Sequence, residues 1–185
     1  MKNSIIRDGK QVLDTEILGI KKLYKIFDKN FSNVVEAISK TKGKVIVTGV
    51  GKSGHIANKI SSTLSSTGTP SQFCTPTDMS HGDLGVINSK DTLIIISNSG
   101  NSMELKDLLD YSKNNSIKLI GISSNPNSDL IKQANMSLIL PKSKEACSIG
   151  LAPTTSTTMT LILGDAISVS LMKLKKFNMT EIKEK

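Results

Sequence analysis

Val45-Ile46-Val47-Thr48-Gly49-Val50-Gly51-Lys52-Ser53-Gly54-His55 is an apolar, β-branched run that empties into a glycine-rich turn, with a helical pattern behind it. Strand, tight turn and helix start together make an anion site, because unpaired backbone N–H groups converge there. Spacing separates two kinds of phosphate loop. A Walker A loop requires a glycine five residues ahead of Gly51-Lys52-Ser53, and that position is Ile46. Gly49, Gly51 and Gly54 do satisfy the G-x-G-x-x-G spacing of a dinucleotide fold. Such a fold also wants an acid ~20 residues on to hold a ribose, and Thr69-Pro70-Ser71-Gln72-Phe73-Cys74 offers none. The turn reads as a site for something small and anionic, not for a dinucleotide.

Upstream, apolar residues at 13, 17, 20, 23, 27 and 31 step by three or four, which predicts an amphipathic helix over about 10–28. Asn33 with Glu36 has the spacing of a capping box, opening a shorter helix through Ile38. The first strand spans 44–48. Downstream, Ile56, Ile60 and Leu64 share a helical face, and Ser71–Cys74 is a short second strand. Residues 75–90 are polar and irregular. Leu93–Ile96 is a continuous apolar run, the mark of a strand covered on both faces. A turn over Ser97–Ser102 leads to a helix through about Asn114. Strands at Lys118–Ser123 and Met136–Leu140 flank a brief helix at 129–134, and a long apolar helix runs from Thr154 to about Phe177. Strands alternating with helices predict an α/β fold, a doubly wound five-stranded parallel sheet flanked by helices. Its ligand belongs at the carboxyl ends of the strands. A single domain over 1–185 is expected, with helices in 1–43, the core in 44–177 and a charged tail in 178–185.

Composition narrows the function classes. The chain carries 24 basic and 16 acidic residues, a net charge of +8. Nucleic acid is nevertheless not the expected partner. Arg7 is the only arginine, and two Tyr, four Phe and no Trp leave no stacking surface. Cys74 and Cys147 stand alone, outside any metal-ligand spacing. No signal peptide opens the sequence and no apolar run approaches ~18 residues, so a cytoplasmic protein with no membrane partner is expected.

The second turn strengthens the first. Ser97-Asn98-Ser99-Gly100-Asn101-Ser102 puts three hydroxyls and a glycine ahead of a helix, a cradle that can donate to a phosphate dianion without a cation. A serine-rich capping turn would have the same composition. Two such loops at strand ends favour phosphate.

Four segments occur in order: Val47–His55, Ser80-His81-Gly82-Asp83-Leu84-Gly85, Ser97-Asn98-Ser99-Gly100 and Leu151-Ala152-Pro153-Thr154-Thr155-Ser156-Thr157. Together they resemble the sugar-isomerase (SIS) domain of the arabinose-5-phosphate isomerases, which include enzymes of the lipopolysaccharide and capsule Kdo pathways. The likeness runs from about Val45 to Phe177. Ser-x-Ser-Gly marks only the superfamily; His-Gly-Asp-Leu-Gly and Ala-Pro-Thr-Thr-Ser-Thr are more specific. The resemblance implies interconversion of D-ribulose 5-phosphate and D-arabinose 5-phosphate through an enediol, with no cofactor and no metal.

That chemistry needs a base for a weakly acidic C–H, a donor for the developing oxyanion and a grip on the phosphate. By resemblance, Lys52, His81, Glu104 and Glu145 are the catalytic candidates. Gly51, Ser53, Ser97, Asn98, Ser99, Ser102, Thr154 and Thr157 are the substrate- and phosphate-binding ones. Each has a plainer reading: a turn lysine, a capping histidine, helix-capping threonines. Asn101-x-x-Glu104 is itself a capping box, which would stabilise the charged carboxylate and weaken it as a base. Glu145 is therefore preferred as the base. His55 is read as structural, and Gly164-Asp165 as a close helix contact. The family also implies a homo-oligomer, a dimer or tetramer with sites near subunit boundaries. It places a histidine followed by Pro-Gly-Gly just beyond Lys185 and then paired CBS domains. Without that histidine, weak turnover with intact binding is expected. Two other functions fit the same motifs: a non-catalytic sugar-phosphate sensor, and a sister isomerase of another phosphosugar. A sensor usually carries a helix-turn-helix domain, for which 1–43 is too short.

Overall fold

The computed structural model describes residues 2–176. Helix α1 (Lys2–Lys22) leads through a 3-10 turn (Leu23–Ile26) to α2 (Lys29–Ser39). Strand β1 (Val45–Gly49), α3 (Lys52–Ser66), β2 (Ser71–Phe73), α4 (Pro76–Ser80) and β3 (Thr92–Ile96) follow. Then come α5 (Lys106–Asn114), β4 (Lys118–Ser123), α6 (Asp129–Gln133), β5 (Met136–Ile139) and α7 (Thr155–Leu174). The strands form one parallel sheet in the order β2-β1-β3-β4-β5. The expected α/β fold, a five-stranded parallel sheet with helices on its faces, is what forms.

Every residue of β1 and β3 is buried. Their period of two splits the apolar side chains between two cores. Val45, Val47, Ile94 and Ile96 join α2, α3 and α7 on one face; Ile46, Leu93 and Ile95 join α4, α5 and α6 on the other. A Cβ on Gly164 would overlap Ile60, so α7 presses against α3 where the sequence predicted close packing. Lys59 and Asp165 form an ion pair beside that contact.

Several local readings need correction. Helix α1 begins at Lys2, not near residue 10, and buries only Gly19, whose missing side chain makes room for Thr155 and Met159 of α7. Helix α2 is capped by Asp28, whose carboxylate accepts from Asn30 N–H (2.8 Å) and Phe31 N–H (3.1 Å). The Asn33–Glu36 box is interior to that helix. The segment read as irregular contains α4, with Pro76 at its first turn and Thr75 as N-cap. Helix α7 is long and apolar enough, by length and composition, to cross a membrane. Its threonines, serines and glycine hid that from a count of apolar runs. Its Met159, Leu163, Ile167 and Leu171 lie in the core with α2 and α3. The expected end of this helix at Phe177 and the tail over 178–185 lie outside the described residues.

Candidate active site

Strand order reverses between β1 and β3, so the chain leaves these neighbours toward opposite faces and opens a crevice at their carboxyl ends. The two glycine turns meet there. Gly51 caps α3 with φ +58°, and a Cβ placed on it would meet nothing within 4 Å. Its backbone is open to a ligand. Gly49 and Gly54 serve packing instead. A Cβ on Gly54 would stand 2.6 Å from Gly49 O, and one on Gly49 would stand 2.8 Å from Ile96 O. They let α3 and β3 close on the turn.

The loop after β3 is held in shape by the end of β4. Asn98 O accepts from Ser123 Oγ (3.1 Å), Ser124 Oγ (2.9 Å) and Ser124 N–H (3.2 Å), and Asn98 Oδ1 accepts from Ser124 Oγ (2.8 Å). Ser97 Oγ accepts from Gly100 N–H (3.0 Å), with Gly100 at φ +68°. Ser99 Oγ accepts weakly from Asn101 N–H (3.4 Å). As acceptors, Ser97 and Ser99 keep their hydroxyl hydrogens for a ligand. Asn101 Oδ1 accepts from Asp129 N–H (2.9 Å). It does not form the box with Glu104, and no side chain caps the 3-10 turn at Met103–Leu105.

The capping carboxylate is Glu145. Its Oε2 accepts from Thr154 N–H (2.8 Å), Thr154 Oγ1 (3.0 Å) and Ser156 N–H (3.2 Å), across the open end of α7. Partial burial pushes its pKa up, but the hydrogen bonds from Ser156 and Thr154 outweigh it and hold the carboxyl below its ordinary value. The objection raised against Glu104 as a base therefore applies to Glu145 instead. A folded pKa below the unfolded one means this cap stabilises the fold above the ordinary carboxylate pKa and is lost as pH falls through the lower folded value. Glu145→Gln should accordingly flatten the acid limb of a plot of urea midpoint against pH. An unchanged acid limb would rule out the cap as a stabilising contact.

Thr154 Oγ1, besides donating to Glu145, accepts from Ala146 N–H (2.8 Å), and Thr157 Oγ1 donates to Thr154 O (2.7 Å). Both predicted ligands have spent their hydroxyl hydrogens within the helix start. Two adjoining clefts share Asn98, Leu140 and Ser156. One, of about 270 Å³, reaches Ser124, Lys142 and Glu145; the other reaches Ser53 and Thr157. Ser124, Lys142 and Ser156 were missed by the sequence reading. Extending the carboxyl-end rule to the last two strands would have found Ser124 and Lys142, but not Ser156, which lies in the first turn of α7. Lys52, His81 and Glu104 are exposed and line neither cleft. Exposed Met103, Ile149 and Leu151 lie on the segments that carry Glu104 and follow Glu145. His55 is exposed on the first turns of α3 and, with Gly51, Phe73 and Thr77, lines a separate hollow.

Comparison with known proteins bears on this arrangement. The family model described as the SIS domain matches residues 37–170. Arabinose 5-phosphate isomerase KdsD of Yersinia pestis is 49% identical over 169 residues, covering 91% of this chain and 52% of that protein. The KdsD of Francisella tularensis is 46% identical, covering 95% and 54%. The chain thus spans about half the length of the curated relatives it matches. The solved structure of E. coli CFT073 c3406 in complex with arabinose 5-phosphate is similar at a TM-score of 0.95 and 35% identity, covering 99% of this chain and 97% of that one.

Proposed function

Because the chain belongs to the SIS-domain family, we propose that it is an aldose–ketose isomerase domain interconverting D-ribulose 5-phosphate and D-arabinose 5-phosphate. The observation that carries this reading is the overlap, along nearly the whole of both chains, with a protein solved in complex with arabinose 5-phosphate. The phosphate would sit on the donors of Ser97, Ser99 and Ser102, with Ser53 and the backbone at Gly51 closing the other side. A sugar extended from there would have to reach Lys52, His81 and Glu104, which line neither cleft.

Glu104 is the better base of the two glutamates, because no helix end engages its carboxylate while Glu145 is tied to α7. In the aldose-to-ketose direction the base removes the C2 proton and returns it at C1, while a proton passes from O2 to O1; the intermediate is a cis-enediol(ate). Lys52 would stabilise the oxyanion and His81 would carry the proton between oxygens. No cofactor or metal is needed for this balance. Incubation with ribulose 5-phosphate in deuterated water, followed by NMR, tests the reading. Deuterium entering with isomerisation is expected; phosphosugar binding without exchange or isomerisation would sink it.

The product would feed Kdo synthesis for lipopolysaccharide or capsule, in the cytoplasm. A homotetramer or dimer is supported by α1, which leaves Ile5, Ile6, Leu13 and Leu18 more than half exposed. Exposed apolar side chains spread round one helix seek a covering surface. Leu13→Lys with Leu18→Lys should lower the mass seen in sedimentation equilibrium, whereas a monomeric wild-type chain would end the oligomer reading.

A further inference from the structure

At the amino ends of β4 and β5, away from the carboxyl ends that carry the active site, a cleft of about 500 Å³ lies between the end of α5, the first residues of β4 and the turn from α6 into β5. Its polar lining comes from Ser112, Lys113, Ser116, Lys118, Gln133 and Asn135. No carboxylate lines it, and neither lysine has a carboxylate within 4.0 Å among the described residues. Two positive charges thus face one hollow with no carboxylate beside them among the described residues.

Lys113 lies in the last turn of α5, whose carbonyl end favours a cation. A helix end presents free carbonyls that would repel an anion. Three of the last four carbonyls of α5 accept hydrogen bonds here. Tyr111 O accepts from the N–H and Nδ2 of Asn115, Lys113 O from Ser116 N–H, and Ser112 O from Ile117 N–H. The last of these closes a Schellman turn with Ser116 in the left-handed position, φ +53°. Glycine is the usual residue there, because a side chain is strained at that φ. Serine instead presents a hydroxyl to the cleft.

Asn135 has a fixed orientation. Its N–H donates to Leu119 O (2.9 Å) and its Oδ1 accepts from Leu119 N–H (2.7 Å). The side-chain atom left over is therefore Nδ2, a donor. Two ammonium groups, an amide NH2 and a strained serine hydroxyl make a donor set with no competing anion.

We propose that this cleft is a second anion site that takes a polyphosphorylated or polycarboxylated small molecule, apart from the phosphosugar crevice. It rests on different residues from the isomerase reading and stands or falls separately. The probe is pyrophosphate, titrated into the whole chain at constant ionic strength while backbone amides are followed by NMR. Saturable shifts are expected for residues 113–119 and 133–136, distinct from any at 97–102. Lys113→Glu and Lys118→Glu should each weaken the first set about tenfold and leave the second set unchanged. Shifts only at 97–102, or shifts at 113–119 that survive both charge reversals, would overturn the proposal. Ser116→Gly supplies a milder check: it should raise the urea midpoint by relieving the φ strain while weakening pyrophosphate at the cleft.

Discussion

Lys52→Ala is expected to lower isomerase turnover by about 10²- to 10³-fold, the usual cost of removing a group that stabilises a developing oxyanion. Phosphosugar binding should change far less, because the donors of the Ser97–Ser102 loop and of Gly51 remain. The structure makes this a clean substitution. Lys52 is exposed at the first position of α3, has no salt-bridge partner among the described residues, and contributes nothing to either core. A fold defect would not explain lost activity. Steady-state kinetics beside a binding titration measures both quantities. Full turnover in the alanine variant would remove Lys52 from the mechanism, and an equal loss in binding and turnover would make it a phosphate ligand instead.

Gly54→Val should be severely damaging to stability. Its Cβ would press against Gly49 O, and the backbone is fixed on both sides of that contact, in α3 and in β1. Neither can yield as a flexible side chain would. The expected cost is ~3 kcal/mol or more, at the high end for overpacking, against a typical total of ~5–15 kcal/mol. A large fall in the urea midpoint, or insoluble protein, is the outcome to look for. Gly9→Ala is the matched control, since a Cβ there meets nothing within 4 Å. On an exposed helix it should gain ~0.5–1 kcal/mol. A Gly54→Val protein as stable as wild type would mean that the turn does not depend on close approach.

The sheet was legible because its strands are buried on both faces. Runs such as Leu93–Ile96 leave no other economical structure. The crevice at the carboxyl ends of β1 and β3 was legible too, since glycine and serine turns follow those two strands. Helix caps were not. Asp28 is a local cap that was passed over as a helix break, while Asn101 and Glu145 bond to groups brought near by the path of the chain. A short-range capping template picked Asn33 and Glu104 because it sees only residues three apart. Glu145 reaches Thr154 across a loop, and no local pattern encodes that. The same distance effect hid Ser124, Lys142 and Ser156, which meet Asn98 only after β4 and β5 have taken their places.

The strand order has a consequence for how the chain becomes this structure. All four strand pairings are parallel, so none can form as a hairpin and each waits on a crossover. While the chain emerges from a ribosome, β1 first meets β2, in a register of only three residues. Its five-residue partner, β3, is made later, and only then are both edges of Val45–Gly49 covered. Until that moment an apolar strand with an open edge is available to the wrong neighbour. Folding should therefore be slow, limited by the arrival of Thr92–Ile96, and most prone to aggregation in chains truncated just before it.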